Sequence, residues 1–118
     1  MDLNSKYILP DGEILSCRIV YSNENNISAY VIIDLKVRRL KAKNKTESCK
    51  IRLRFDDLID MSLFEDFGTQ GNYSDITLVT TDNNEIYLSL DPYDNLNKPD
   101  SRDNFVIRSK KIEIQEFE

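Results

Sequence analysis

Residues 27–55 read ISAYVIIDLKVRRLKAKNKTESCKIRLRF, and this stretch alternates apolar and polar side chains along two arms. The apolar positions are Ile27, Ala29, Val31, Ile33, Leu35 and Val37 in the first arm and Cys49, Ile51, Leu53 and Phe55 in the second. A period of two over this length is typical of a β-strand with one buried face and one solvated face. The stretch therefore predicts two long strands that form a hairpin, with the rest of the chain packed on its apolar side.

The alternation also limits how the two strands pair. Pairing residues whose numbers add to 88 places Ile33 opposite Phe55 and leaves a three-residue turn at Lys43–Lys45. If the numbers of facing residues added to an odd number, apolar side chains would lie opposite charged ones. A five-residue loop also gives an even sum, so this register stays open as an alternative. In the first register Lys36 faces Arg52, an unfavourable like-charge pair that a neighbouring acidic strand or a partner would relieve.

Length and composition favour one domain. A chain of 118 residues suffices for a single domain, 1–118, with its own core. No apolar run approaches a membrane span, and the N-terminal residues lack the apolar core of a signal peptide, so a cytoplasmic protein is expected. Cys17 and Cys49 fall at apolar-face positions and are expected to be reduced core residues, because disulfides are rare in the cytosol.

The formal net charge of −5 conceals a segregation of charge along the chain. Residues 27–54 contain nine Lys or Arg against two acidic residues, a net of +7. Residues 55–104 contain twelve Asp or Glu against two basic residues, a net of −10. Adjacent segments of opposite sign either compensate each other in the fold or form a dipolar surface that steers a charged partner.

The remaining segments predict further strands. After a turn signal at Pro10-Asp11-Gly12, strands are expected at residues 13–21, 73–80, 85–90 and 105–117. Residues 57–68 carry apolar side chains three and four apart, which favours a short helical segment. The apolar parity changes between Ile107 and Ile112, which predicts a bulge or kink near Ser109.

These elements together predict a mainly β (α+β) fold. We expect an antiparallel sheet of about six strands, beginning with a three-stranded meander and folded as a sandwich or open barrel, with one short helical segment.

Residues 91–104 read DPYDNLNKPDSRDN and form the longest stretch without hydrophobic periodicity. Pro92 and Pro99 exclude regular structure across it. A loop of this length in a small domain is usually mobile or functional.

Few groups in the chain suit catalysis or cofactor binding. The absence of histidine removes the commonest general base, and the three glycines form no phosphate-binding loop. The cysteines lack the paired spacing of a zinc site. A protein that is not an enzyme, with no cofactor, is therefore expected. The oxygen-rich 91–103 segment offers calcium ligands but matches no EF-hand spacing, which leaves open whether it holds a metal ion.

Two acidic segments that also carry aromatic side chains supply the candidate partner-binding residues. These are Glu65, Asp66, Asp91, Tyr93, Asp94, Asp100 and Asp103. An alternative is a nucleic-acid-binding or regulatory module that uses the basic hairpin 36–54, where Tyr30 is the candidate for base stacking. The acidic total charge works against nucleic acid. A third possibility is a structural subunit that extends a sheet through an exposed edge.

Three segments resemble small bacterial immunity proteins that are encoded beside polymorphic or contact-dependent toxins. The segments are Phe55-Asp56-Asp57-Leu58 through Phe64, then Tyr87-Leu88-Ser89-Leu90-Asp91-Pro92-Tyr93-Asp94, then Asp103-Asn104-Phe105-Val106-Ile107-Arg108-Ser109. The resemblance implies a single-domain cytoplasmic protein that binds one cognate toxin domain and blocks its active site or substrate surface. It assigns no residue roles, because such proteins vary where they contact their toxins.

The acidic candidates fit that role when the toxin is a nuclease. A nuclease cleft is basic because it holds phosphates, and an acidic loop associates with such a cleft quickly. In this interpretation Tyr93 is the anchor, and the carboxylates match cationic residues of the toxin. If the toxin's site were acidic instead, the basic hairpin would be the natural contact.

Overall fold

The structure, a computed structural model, describes residues 6–22, 28–42, 44–62 and 73–118. In these ranges the chain forms seven β-strands and no helix. The strands are β1 (Tyr7–Ser22), β2 (Ser28–Leu40), β3 (Thr46–Ser62), β4 (Tyr73–Ser74), β5 (Thr77–Thr80), β6 (Ile86–Asp91) and β7 (Asn104–Phe117). Because β4 has only two residues, the fold rests on six strands, and every pairing is antiparallel. The prediction of a mainly antiparallel β fold with about six strands is confirmed.

All strands belong to one open sheet with the order β4-β1-β2-β3-β7-β6-β5. The predicted meander of the first three strands is confirmed. The two edge strands, β4 and β5, both come from residues 73–80, so one short segment pairs with β1 at one edge and with β6 at the other. The sheet must therefore curve. Between these edge strands Ile76 has φ 45° and its side chain is buried in the core.

The core lies on one face of this sheet, which we call the inner face. It is built from the alternate residues predicted to be apolar on β2 and β3. The fully buried side chains on these two strands are Val31, Ile33, Leu35, Ile51, Leu53 and Phe55. Leu88 of β6 and Ile107 of β7 complete this layer, so distant segments share one hydrophobic cluster. The opposite face of the sheet is called the outer face.

The start of β1 differs from the prediction. Residues 7–12 belong to the strand, and the register with β2 shifts between Ile8 and Glu13. Tyr7 and Leu9, two residues apart in this part of the strand, are buried in the core. Gly12 is needed here for close packing. A Cβ atom at Gly12 would lie 2.9 Å from the Leu9 carbonyl oxygen and 3.0 Å from Cδ1 of Ile76.

The hairpin register that adds to 88 is wrong by two residues. The observed pairs add to 86, and Leu40 pairs with Thr46, which leaves the five-residue loop 41–45 that also keeps the parity. The shift lowers the number of like-charge pairs. The register that adds to 88 would have two, Lys36 opposite Arg52 and Arg38 opposite Lys50, whereas the observed register has one, Lys36 opposite Lys50. Asp34 lies opposite Arg52, with Nε of Arg52 2.8 Å from Oδ1 of Asp34.

The helical segment predicted at residues 57–68 is not confirmed. Its first six residues continue β3 and pair with β7, while residues 63–68 lie outside the described ranges. A register shift between Leu58 and Asp60 marks a bulge, after which Met61 packs against the core as Leu58 does. A bulge thus produces the spacing of three that the sequence shares with a helix.

The change of apolar parity in β7 is seen in the burial pattern, but no bulge accompanies it in this strand, since Ser109, Lys111 and Ile112 pair with Leu58, Asp56 and Phe55 in unbroken register. Ile107 and Ser109 are buried, Lys110 and Lys111 are both exposed, and Ile112 then packs against the core. The inward-facing parity therefore changes between residues 109 and 112.

The two cysteines are free. Cys49 packs against the core. Cys17 lies opposite the buried Ile33 but is itself exposed, so the expectation that it is a core residue is wrong. Its position at the sheet edge explains the exposure, because β4 pairs with β1 only at Gly12 and Glu13.

Candidate partner-binding surface

Residues 91–103, here called the acidic loop, connect β6 to β7. The loop is closed at its base by the pair Asp91 and Asn104, where Nδ2 of Asn104 donates to Oδ2 of Asp91 at 3.2 Å. Buried Ser89 reinforces this base, because its hydroxyl donates to the Asn104 carbonyl at 2.7 Å and accepts from the Asp91 amide at 3.2 Å. The two ends of the loop are thereby fixed to the sheet.

Asp103 organises the interior of the acidic loop. Its carboxylate accepts from the hydroxyl of Tyr87 at 2.6 Å, from the amide of Tyr93 at 2.7 Å and from the amide of Asp100 at 2.9 Å. Burial, reinforced by the hydrogen bond to the adjacent Asp103 carboxylate, raises the pKa of Tyr87 above the usual value for a phenol. Asp103 was predicted as a partner-binding residue, but the structure places it inside the loop as a brace.

Asp100 is matched by a cation of the same loop. Its carboxylate accepts from the Arg102 side chain at 2.9 and 3.0 Å and from the Arg102 amide at 2.8 Å. The hydrogen bond from Arg102 lowers the pKa of Asp100 to about 2. Asp100 is therefore ionised but locally compensated, and it offers a partner less charge than the sequence suggested.

The exposed tip of the loop is less acidic than predicted and more varied in chemistry. The guanidinium of Arg102 lies 3.5 Å from the ring centroid of Tyr93. Tyr93 is 55% exposed and Leu96 is 62% exposed. Asp94 accepts from the Leu96 amide at 3.1 Å and holds the turn between them. Tyr93, Leu96 and Arg102 thus form a mixed aromatic, aliphatic and cationic tip beside Asp94.

Lowering the pH is expected to separate Arg102 from Asp100. The folded-state pKa of Asp100, about 2, lies below the usual 3.8, so the pair stabilises the loop fully above about pH 4 and is lost as the pH falls toward 2. The backbone amide of Arg102 should report this loss in an NMR titration. The variant Asp100→Asn should show no such step, and a step that persists in this variant would contradict the assignment.

The structure brings five of the seven predicted residues together and leaves two untested. Glu65 and Asp66 lie outside the described residues. Asp91 is exposed and Asp94 is half-buried. The sequence analysis did not include Leu96 and Arg102 among the candidate partner-binding residues. Leu96 could have been identified, because it is an isolated apolar residue in a polar loop.

One further carboxylate lies at the same end of the sheet. Exposed Asp75 precedes Thr77 by two residues, and Thr77 pairs with Ser89, two residues before Asp91. Asp75 therefore adds negative charge near the base of the acidic loop. The pairing of β5 with β6 brings Asp75 and Asp91 to the same end of the sheet. Hydrophobic and turn patterns in the sequence do not contain this information.

The basic hairpin is partly neutralised by its own neighbourhood. Asp34, which is buried, accepts from Arg52, and this hydrogen bond is the main cause of the lowered pKa of Asp34. Arg54 binds Asp56 and also lies 3.9 Å from the centroid of Tyr30. The aromatic face proposed for base stacking is therefore covered by an intramolecular cation.

Some basic side chains of the hairpin remain exposed on the outer face. Lys36 and Lys50 lie opposite each other, and Arg38 follows on the same face; all three are exposed. Among the described residues, no ion pair joins the hairpin 36–54 to the acidic loop. The basic segment 27–54 and the acidic segment 55–104 are joined by the ion pair of Arg54 with Asp56, while the charges of the acidic loop stay separate from those of the hairpin in the described ranges.

A metal ion is usually held by a group of at least three His, Cys, Asp or Glu side chains. The described ranges contain no such group. The same ranges contain no helix of the length and apolar character that a membrane crossing needs.

Comparison with known proteins gives no relatives. A scan against family models found no match, and neither did searches of curated proteins and of solved structures. The resemblance to immunity proteins therefore stays a prediction.

Proposed function

We propose that this chain is an immunity protein that binds a cognate bacterial toxin domain and neutralises it by covering its active site or substrate surface. In this role it works in the cytoplasm and is not an enzyme. The observation that carries the proposal is the acidic loop, a long irregular segment braced at its base and interior while Tyr93 and Leu96 remain exposed.

The bracing of the loop matters for affinity. A flexible loop loses conformational entropy when it binds, whereas a preorganised loop has already lost it on folding. Asp103 holds the Tyr93 backbone, and Asp100 holds Arg102 beside the Tyr93 ring. Tyr and Arg are enriched among the residues that dominate binding energy at interfaces. Tyr93 is therefore proposed as the anchor, with Leu96 and Arg102 around it.

Charge supplies the second part of the recognition. Asp91 is exposed at the base of the loop, Asp94 is half-buried beside its tip, and the exposed Asp75 lies near its base. A basic cleft, such as that of a nuclease, would be attracted to this end of the molecule, and complementary charge raises the association rate more than the final affinity.

Reversing these two loop carboxylates together, Asp91→Lys with Asp94→Lys, is expected to weaken toxin binding at least about tenfold, because two attractive contacts become repulsive. The sheet should persist, since neither side chain is in the core. Binding is measured by calorimetric titration at two salt concentrations, and the effect should shrink at the higher one. The salt dependence separates a charge effect from the loss of the hydrogen bonds that Asp91 and Asp94 accept, because salt screens only the former.

A matched control carries the same change in net charge elsewhere. Asp82→Lys with Glu118→Lys alters two exposed positions, the β5–β6 turn and the chain terminus. This control should bind almost as the unmodified chain does. Equal weakening by both double variants would reject the acidic loop as the contact surface and leave only a net-charge effect.

The function itself is tested by growth. The reading frame immediately upstream of this one is expressed in bacteria with and without the present chain. Growth arrest that this chain relieves would support the proposal. An upstream product that does not arrest growth, or an arrest that the chain leaves unchanged, would overturn it.

The alternative function is a nucleic-acid-binding or regulatory module on the basic hairpin. The observation that favours it is the exposed set Lys36, Arg38 and Lys50 on the outer face. Binding to generic RNA or DNA through such lysines would fall steeply with salt. A fluorescence titration with single-stranded RNA over a range of salt concentrations separates this alternative from toxin binding, for which no RNA affinity is expected.

A further inference from the structure

In the part of the chain that the structure describes, the long strand β1 has an open edge. β4 pairs with β1 only at Gly12 and Glu13. From Ser16 to Ser22 the strand pairs in unbroken register with β2 on one side, and no strand in the described ranges pairs with its other side. An open strand edge presents unpaired backbone N–H and C=O groups that fit another β-strand.

At this edge, the apolar side chains of β1 extend the hydrophobic core but are exposed to solvent. Ile19 and Tyr21 are 46% and 65% exposed, and Cys17 is also exposed. On the inner face, Ile19 lies opposite Val31, Tyr21 lies opposite Ala29, and Cys17 lies opposite Ile33. Val31 and Ile33 are fully buried, so the hydrophobic layer ends in an uncovered row one strand away from them.

We propose that a second copy of this chain covers the edge, with the two β1 strands paired antiparallel about a two-fold axis at Ile19. The unbroken run from Ser16 to Ser22 has Ile19 as its midpoint, so this axis uses all of it. Ile19 then faces its own counterpart, and Cys17 faces Tyr21, so each of these three side chains of the inner face meets another of them.

Charge excludes the neighbouring axis at Arg18 and allows a second copy as the occupant. Arg18 is the one charged residue between positions 16 and 22. An axis at Arg18 would place two guanidinium groups opposite each other, whereas the axis at Ile19 sets Arg18 against Val20. The strand therefore complements itself without a carboxylate from another protein.

The pairing is also self-limiting. The register of β1 shifts between Ile14 and Ser16, so Leu15 forms a bulge, and β4 occupies the edge just before it. A bulge interrupts strand pairing. A two-fold contact uses the same patch on both copies and leaves no patch for a third, so the product is a closed dimer rather than a fibre.

Sedimentation equilibrium over a hundredfold range of concentration tests the dimer. The full chain should show a monomer–dimer equilibrium, and Ile19→Lys should weaken the dimer at least about tenfold, because it places two cations at the axis. Leu40→Lys is the matched control, since Leu40 is 40% exposed on β2 and should leave the dimer intact. A monomer at all concentrations, or equal dimerisation of Ile19→Lys, overturns the proposal.

Disulfide trapping tests the axis independently. In a Cys17→Ser background, Ile19→Cys should form a disulfide-linked dimer under mild oxidation. Val20→Cys, on the outer face and one residue away, should cross-link at least about tenfold less, because only the residue on the axis faces its own counterpart. Preferential cross-linking of Val20→Cys would overturn the proposed axis. This surface is separate from the acidic loop, so loss of dimerisation and loss of toxin binding are distinguishable.

Discussion

Replacing Phe55 with alanine is expected to lower the free energy of unfolding by about 3–5 kcal/mol. Phe55 is fully buried on β3, between Val31 of β2 and Ile112 of β7. Truncation removes its transfer free energy and leaves a cavity that two paired strands cannot close. A domain of this size has only about 5–15 kcal/mol of stability, so the variant should unfold at much lower urea concentration.

The same substitution at Phe117 is the control. Phe117 is only partly buried, and its ring lies 5.0 Å from the guanidinium carbon of Arg52. Loss of this exposed contact should cost about 1 kcal/mol or less. Similar losses at both positions in urea titrations would mean that the inner face is not the core.

The second large effect is expected for Asp103→Ala. The variant leaves the hydroxyl of buried Tyr87 and the amides of Tyr93 and Asp100 without their acceptor. An orphaned buried donor costs about 1–3 kcal/mol, so stability should fall by that order. Hydrogen exchange at the amides of Tyr93 and Asp100 should accelerate at least about tenfold as these hydrogen bonds are lost. Toxin binding should weaken as well, because the tip is no longer preorganised.

Asp94→Ala separates bracing from charge. Asp94 holds one backbone amide, that of Leu96, at the exposed tip. This variant removes the same charge from the loop as Asp103→Ala, yet it should leave the exchange rate at Asp100 unchanged. If both variants accelerate exchange at Asp100 alike, Asp103 is not the brace.

The strands and their inward faces could be predicted because alternation is a local property. Ile33, Leu35, Ile51 and Leu53 are buried as the pattern indicates. The register could not be fixed in the same way, since a shift of two residues preserves the parity. The ion pair of Asp34 with Arg52 belongs to the observed register, and it depends on a contact 18 residues apart in sequence.

Bulges account for the main error. The apolar residues Leu58 and Met61 are three apart, and a one-residue shift in a strand produces the same spacing as a helical turn. Deciding between them needs the partner strand β7, which follows about 50 residues later in the sequence. Local periodicity contains no such information.

The acidic loop was found from its lack of periodicity, but the roles of its acids were not. Asp91, Asp94, Asp100 and Asp103 are chemically identical in the sequence. Asp103 became a brace because Tyr87 of β6 and two amides converge on it, and Asp100 was compensated by Arg102. These assignments depend on three-dimensional proximity.

The most direct test mixes the purified toxin domain, encoded by the upstream reading frame, with increasing amounts of this chain while the toxin's activity is measured. Activity is predicted to disappear at a molar ratio of one chain to one toxin domain, and the Tyr93→Ala variant should need a large excess. Full toxin activity in the presence of excess unmodified chain would contradict the proposed function.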